Sequence, residues 1–328
     1  MIKPWFLLPA KLAHDLAPIG LKLASAVCKS KQPSYAPFRW KGIQFQNPIG
    51  IAGGVDKNAE MIESFCKLGA GFIEIGTVTP KPQSPNPGVI LKRDIPHRAL
   101  WNKMGFPSKG VDFVKRQLQK QKKRDIPLFI NIGKNRTTDN SKAHEDYIKC
   151  MQELSSWASA FVINISSPNT KGLRELLMPQ NLEAFLQPII NENKNNPRPL
   201  LLKLSPDISN KELEQVLSIS CKLGIEGFIL TNTTQGEREN LNFPEEGGVS
   251  GAPLAKKSLE LLNYAHNYLK ENQLSALLIS TGGILSAADV KTRLNAGANL
   301  VQVYSALIFE GPLFFQKTLK TLNSDAVN

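Results

Sequence analysis

The chain has 328 residues, 41 % of them hydrophobic, with 40 Lys+Arg against 28 Asp+Glu and a formal charge of +12. That apolar share supports a sizeable core and excludes global disorder, and the length fits one large α/β barrel or two ordinary domains. Cys28, Cys66, Cys150 and Cys221 lie far apart with no CxxC pair, which disfavours a zinc site or disulfide framework and points to a reducing compartment.

Residues 1–37 read as two short helices with Phe6, Leu7, Leu8, Leu12, Ala13, Leu16, Ile19 and Leu23 apolar, followed by a linker marked by Pro33 and Pro37. No apolar run approaches the roughly 18 residues of a membrane span. Pro4, Pro9, Lys11 and Asp15 interrupt any signal-peptide core. Residues 38–46 alternate through Phe38, Trp40, Ile43 and Phe45, as a small hairpin closing the bottom of a barrel would.

Short, nearly continuous apolar runs then recur at 48–52, 72–75, 128–132, 161–165, 200–204, 228–230, 277–279 and 300–303. Parallel strands buried on both faces read this way. Between them, residues 57–68, 108–123, 141–157, 209–223, 253–270, 286–296 and 312–323 carry helical spacing, and 174–194 carries it less regularly. Eight strands alternating with helices predict a (β/α)8 TIM barrel, α/β in class, with a small N-terminal helical extension. The Pro-rich stretch 80–107 is too long for a plain strand-to-helix loop and is expected to act as a lid or binding wall.

In such barrels the active face lies at the carboxyl ends of the strands. Polar residues collect there: Gly53-Gly54-Val55-Asp56-Lys57, Gly76-Thr77, Asn131 to Asn135, Asn164 to Thr170, Lys203, Thr231 to Thr234, Gly282-Gly283 and Tyr304-Ser305. The last two pairs suit a phosphate, whose anion backbone N–H groups can hold, although a glycine pair is also what a tight turn needs. Lys203 sits within an apolar run, so its ammonium either meets an anion or electron-rich ring or snorkels at the strand end. Lys57 could equally be an ordinary first-turn helix lysine. His14, His97, His144 and His266 all lie away from strand ends, which disfavours a histidine base or a histidine metal site. Strand-end carboxylates are few (Asp56, Glu74, Asp207), against paired-carboxylate glycosidase chemistry. Hydroxyls remain as proton acceptors, and Asn164-Ile165-Ser166-Ser167-Pro168-Asn169-Thr170 is the densest polar cluster. It could hold a planar, amide-like ligand or be an Asx/Ser turn.

Taken together, these motifs, with Ile73 to Pro80, Asn102-Lys103-Met104-Gly105-Phe106, Asn131-Ile132-Gly133-Lys134-Asn135 and Gly247-Gly248-Val249-Ser250-Gly251, resemble the quinone-dependent, membrane-associated class of dihydroorotate dehydrogenases over nearly the whole chain. The resemblance implies an FMN barrel that oxidises (S)-dihydroorotate to orotate in pyrimidine biosynthesis. It implies FMN contacts at Gly53, Gly54, Val55, Asp56, Lys57, Thr77, Asn131, Asn164, Lys203, Thr231, Gly251, Gly283, Tyr304 and Ser305. Substrate contacts are implied at Lys57, Asn102, Lys103, Met104, Gly105, Phe106, Asn164, Asn169, Asn232 and Thr233. Ser167 matches the catalytic base, where the soluble class carries Cys, and Thr170 and Phe106 match the environment of a proton relay. His14, Arg93 and Tyr304 match positions near the quinone. The chain departs from the family at Lys103, where Arg is usual, and at Lys171, where Pro is common.

Two parts follow as expectations: 1–37, a membrane- and quinone-associated helical segment, and 38–328, the catalytic barrel. The basic excess is expected to meet an anionic membrane surface from the cytoplasmic side and not nucleic acid, because the run 115–124 lacks interleaved aromatics. The competing readings are a soluble fumarate- or NAD-linked dihydroorotate dehydrogenase, a flavin-dependent tRNA-dihydrouridine synthase, and a basic scaffold without catalysis. The dihydrouridine synthases use a cysteine acid, whereas Cys66, Cys150 and Cys221 fall in predicted helices.

Overall fold

A computed structural model describes residues 3–28, 34–121, 126–170 and 172–325. Lys171, Pro33 and the basic residues 122–124 lie outside the described residues. Eight strands form the barrel: β1 (Ile49–Asp56), β2 (Phe72–Val78), β3 (Leu128–Ile132), β4 (Ala160–Asn164), β5 (Leu200–Leu204), β6 (Gly227–Leu230), β7 (Leu277–Thr281) and β8 (Leu300–Val303). All pair in parallel with their sequence neighbours, and β8 closes onto β1. The runs predicted from composition are these strands. Their continuous apolarity reflects burial on both faces, barrel interior on one side and helix layer on the other.

Inside the barrel the side chains form layers, because residues i and i+2 of a strand share a face. The lower layer is apolar: Phe72, Phe129, Val162, Leu201, Ile229, Ile279 and Leu300. The predicted hairpin, Phe38–Trp40 with Ile43–Phe45, plugs this end. Phe45 is fully buried there and meets Phe72 and Phe129 edge-on, at centroid distances of 5.9 and 6.2 Å. Two residues further along five of the strands the interior turns polar: Glu74, Asn131, Asn164, Lys203 and Gln302.

The helices follow prediction with shifts at their ends. The first begins at Ile62 and not near 57, because the buried Asp56 carboxylate accepts the N–H groups of Glu60 and Met61 at 2.9 and 2.8 Å and holds 56–61 in a loop. The stretch 80–107 contains two strands, Leu91–Asp94 and Ala99–Asn102, which form a three-stranded antiparallel sheet with Gly248–Gly251 above the barrel mouth. Each strand has four residues, too few for an alternation to stand out in the sequence.

At the N-terminus a single 3-10 turn (Pro4–Leu7) precedes a 17-residue helix, Ala10–Ala26. The turn is tied to the barrel. The Arg93 guanidinium donates to the carbonyls of Trp5, Phe6 and Leu8, at 2.9 Å for Leu8, and the Trp5 indole donates to the Ile308 carbonyl at 2.8 Å. No helix among the described residues is long and apolar enough to cross a membrane.

Replacing Phe45 with Ala opens a hole in the barrel plug and is expected to destabilise the fold by about 3–5 kcal/mol. Denaturant unfolding measures this, and a loss below about 1 kcal/mol would contradict a packed plug.

Candidate active site

The polar layer is organised around one carboxylate. Glu74 has no solvent exposure; its Oε1 accepts from Asn131 Nδ2 at 2.6 Å and Lys203 Nζ at 3.1 Å, and its Oε2 accepts from Gln302 Nε2 at 2.6 Å. Asn131 Oδ1 in turn accepts from Asn164 Nδ2 at 3.2 Å, which also donates to Thr77 Oγ1 at 3.1 Å. Lys203 therefore does not snorkel. It is 5 % exposed and paired, as a buried ammonium must be.

Above this layer a cavity opens at the carboxyl ends of the strands. Its walls include Gly53, Gly54, Lys57, Thr77, Asn164, Lys203, Thr231, Gly251, Gly283, Tyr304 and Ser305. The other wall is Asn102, Met104, Gly105, Phe106, Ser167, Asn169, Asn232 and Thr233. The three-stranded sheet delivers Asn102, whose Oδ1 accepts from Asn169 Nδ2 at 3.0 Å. Asn232 Nδ2 donates to Ser166 Oγ at 2.9 Å, and the Asn169 backbone N–H donates to Ser167 Oγ at 3.2 Å. Arg174 fastens the serine loop from outside: Nε donates to the Ser166 carbonyl at 3.0 Å and Nη1 to Asp207 at 3.1 Å.

A second cavity, of about 580 Å³ and mostly apolar, runs between the N-terminal helix and the barrel. His14, Arg93 and Tyr304 line it, with Leu21, Val55 and Ile308 among the apolar wall. Lys57, Leu91, Leu100 and Tyr304 border both cavities. At that junction Lys57 Nζ lies 3.2 Å from His14 Nε2. Burial, opposed by Asp56 and Asp15, brings Lys57 down to about 8, and burial with the Lys57 charge brings His14 down to about 4. Burial pushes the Tyr304 phenol up to about 12.

Several residues expected at the site lie elsewhere. Val55 and Asp56 face the second cavity, and Asp56 uses both oxygens on its own loop. Asn131 lies beneath the cavity floor, bound to Glu74. Lys103 is not on the cavity wall, and its ammonium pairs with Glu246. Thr170 is buried without reaching the wall, its carbonyl accepting from the Leu173 N–H. Sequence reasoning passed over Gln302 and gave Glu74 no role at the site. The available signal was a single polar residue at the i+2 step inside an apolar strand.

The family description for dihydroorotate dehydrogenase matches residues 37–325. The chain belongs to the dihydroorotate dehydrogenase family. It is 42 % identical over 283 residues, 85 % of this chain and 80 % of the relative, to the dihydroorotate dehydrogenase (quinone) of Thermus thermophilus. It is 38 % identical to that of Stenotrophomonas maltophilia over 97 % of this chain and 93 % of the relative. A crystal structure of the Eimeria tenella enzyme in complex with ferulenol aligns with a TM-score of 0.88 at 30 % identity, covering 99 % of this chain and 96 % of that one.

The family is flavin-dependent, and the residues present suit a flavin. Gln302 Oε1 and Asn169 Oδ1 are buried at the cavity without a hydrogen-bond partner among the described residues, so each awaits a donor. A Cβ at Gly283 would stand 2.4 Å from the Ala255 Cα, so only glycine lets the backbone close the cavity there. None of Cys66, Cys150 and Cys221 lines the cavity, which removes the cysteine acid of the dihydrouridine synthase reading. Of the basic run, Lys115 is paired with Glu153 at 2.7 Å.

The depressed Lys57 pKa carries a sign. Lysine ordinarily titrates near 10.5, and here near 8, so its charged form opposes folding fully below about pH 8. The penalty fades between the two values and vanishes above the higher one. Lys57→Met is expected to melt above the parent protein near pH 7 without substrate, with the gap closing as pH rises toward 10.5. A gap that widens with pH would contradict this.

Proposed function

We propose that this protein oxidises dihydroorotate to orotate in pyrimidine biosynthesis and passes the electrons to a quinone, with FMN as its flavin. The observation that carries this reading is the meeting, at Lys57 and Tyr304, of a cavity set with amides, hydroxyls and two lysines and a separate apolar cavity. One chamber suits a polar, planar, anionic substrate. The other suits an apolar acceptor reaching the same centre from a different direction. A bound FMN would supply an acceptor for the substrate's hydride and a donor of its electrons to the quinone.

The chain's residues have distinct tasks in this reading. Gly53, Gly54, Thr77, Lys203, Thr231, Gly251, Gly283 and Ser305 would hold the cofactor. Lys57 would meet the substrate carboxylate. Asn102, Asn164, Asn169, Asn232 and Thr233 would hold the pyrimidine edges, with the orphaned Asn169 Oδ1 accepting a ring N–H. Ser167 Oγ would take the proton from C5, and because serine is a weak base, it depends on a ligand polarised by Lys57 and the amide donors. Phe106 lines the same wall and would limit water access. The neutral His14 and the guanidinium of Arg93 would face the quinone ring.

The N-terminal segment, 1–37, is read as the membrane-facing part and 38–328 as the catalytic barrel. The helix Ala10–Ala26 turns Ala13, Leu16, Ala17 and Leu21 toward the apolar cavity and exposes Leu12, Ile19 and Leu23 on the other side. Those three are between 43 % and 68 % exposed, which suits a helix lying in the surface of a bilayer. With the net charge of +12, an anionic leaflet on the cytoplasmic side is the partner proposed.

Removing residues 1–30 is expected to leave flavin bound and reducible by dihydroorotate while turnover with quinone in vesicles is lost. Undiminished quinone turnover in that truncation would overturn the assignment of the second cavity.

A further inference from the structure

The floor beneath the cavity holds a carboxylate that touches neither cavity, and its surroundings are built to receive it. Glu74 takes three donors from three strands: Asn131 on β3, Lys203 on β5 and Gln302 on β8. A Cβ on Gly53 would stand 2.1 Å from Glu74 Oε1, so the glycine in β1 is required by the carboxylate's approach and not only by a ligand above. Two of the three donors, Lys203 and Gln302, also line the cavity, and Gln302 keeps its Oε1 free. Fixing the Gln302 amide nitrogen on Glu74 decides which end of that amide is left for the ligand.

The electrostatics follow from the same contacts. Lys203 is a positive charge, 5 % exposed, on the cavity wall, and Glu74 is its counter-ion, 3.1 Å away with no exposure. In a site so shielded from water, the charge a ligand meets is the sum of the two, set by their separation. A bare lysine would favour a reduced, more negative flavin strongly, and a paired one favours it less.

We propose that Glu74 is a positioning residue that orients Lys203 and Gln302 toward the flavin and, by partly offsetting the Lys203 charge, holds the flavin's reduction potential down. The inference rests on the flavin reading above. A flavin kept from becoming too strong an oxidant releases its electrons to a quinone more readily.

The test is the midpoint potential of the purified holoenzyme, measured by reductive titration with a reference dye, for the parent, Glu74→Gln and Glu74→Asp. The Gln variant is expected to titrate at a more positive potential, because Lys203 loses its counter-ion. The Asp variant, with the carboxylate withdrawn by one methylene, is expected to shift less in the same direction. A purely structural role would lower flavin content or melting temperature and leave the potential of the remaining flavin unmoved, and that result overturns the proposal. Should the Gln variant fail to fold, the Asp variant decides alone: a small positive shift supports the proposal, and an unaltered potential overturns it. A parent protein that binds no flavin would refute the flavin reading itself, which is a distinguishable outcome.

Discussion

The buried pair of Glu74 and Lys203 is the constraint around which this barrel is arranged. Two opposite charges out of water destabilise a fold unless their remaining hydrogen-bonding capacity is met. Here Asn131 and Gln302 complete the carboxylate, and Asn164 extends the network to Thr77. These side chains come from five of the eight strands, at one level, directly above an apolar layer headed by Phe72 and Phe129. The barrel therefore has a dry, hydrophobic lower half that supplies stability and a polar upper storey that supplies chemistry. The hairpin plug under Phe45 and the sheet over the mouth close the two ends.

The N-terminal segment adds a second chamber without disturbing the first. Its docking relies on the carbonyl groups of Trp5, Phe6 and Leu8 in and after a short 3-10 turn, which Arg93 gathers. The result is a helix with one side over an apolar cavity and the other presenting leucines to its surroundings. Lys57 stands at the boundary, depressed by burial and touching His14. A residue held that way is unfavourable for folding and well placed for binding an anion, the usual trade between stability and function.

How much of this could be read from the chain depended on how local each signal was. The strands were legible because burial on both faces leaves a run such as Leu200-Leu201-Leu202 with no polar break. The plug hairpin was legible through the alternation of Phe38, Trp40, Ile43 and Phe45. The clusters after the strands placed Ser167, Asn169, Asn232 and Lys57 together, as the cavity does. Glu74 and Gln302 escaped, because the partners that give them a role come from distant strands and leave no mark near them in the chain. Asp56 looked like a cofactor ligand and is a loop staple, since nothing local revealed that Glu60 and Met61 would claim its oxygens. Lys103 follows the end of the strand Ala99–Asn102 and pairs with Glu246, a partner far away in the chain that nothing local marks.

The central claim is a flow of electrons from dihydroorotate through a bound flavin to a quinone. Anaerobic mixing of the purified protein with dihydroorotate measures its first half directly. Bleaching of the visible flavin absorbance, followed by its return when a quinone is added, is the predicted result. A flavin that stays oxidised in the presence of excess dihydroorotate would contradict the account.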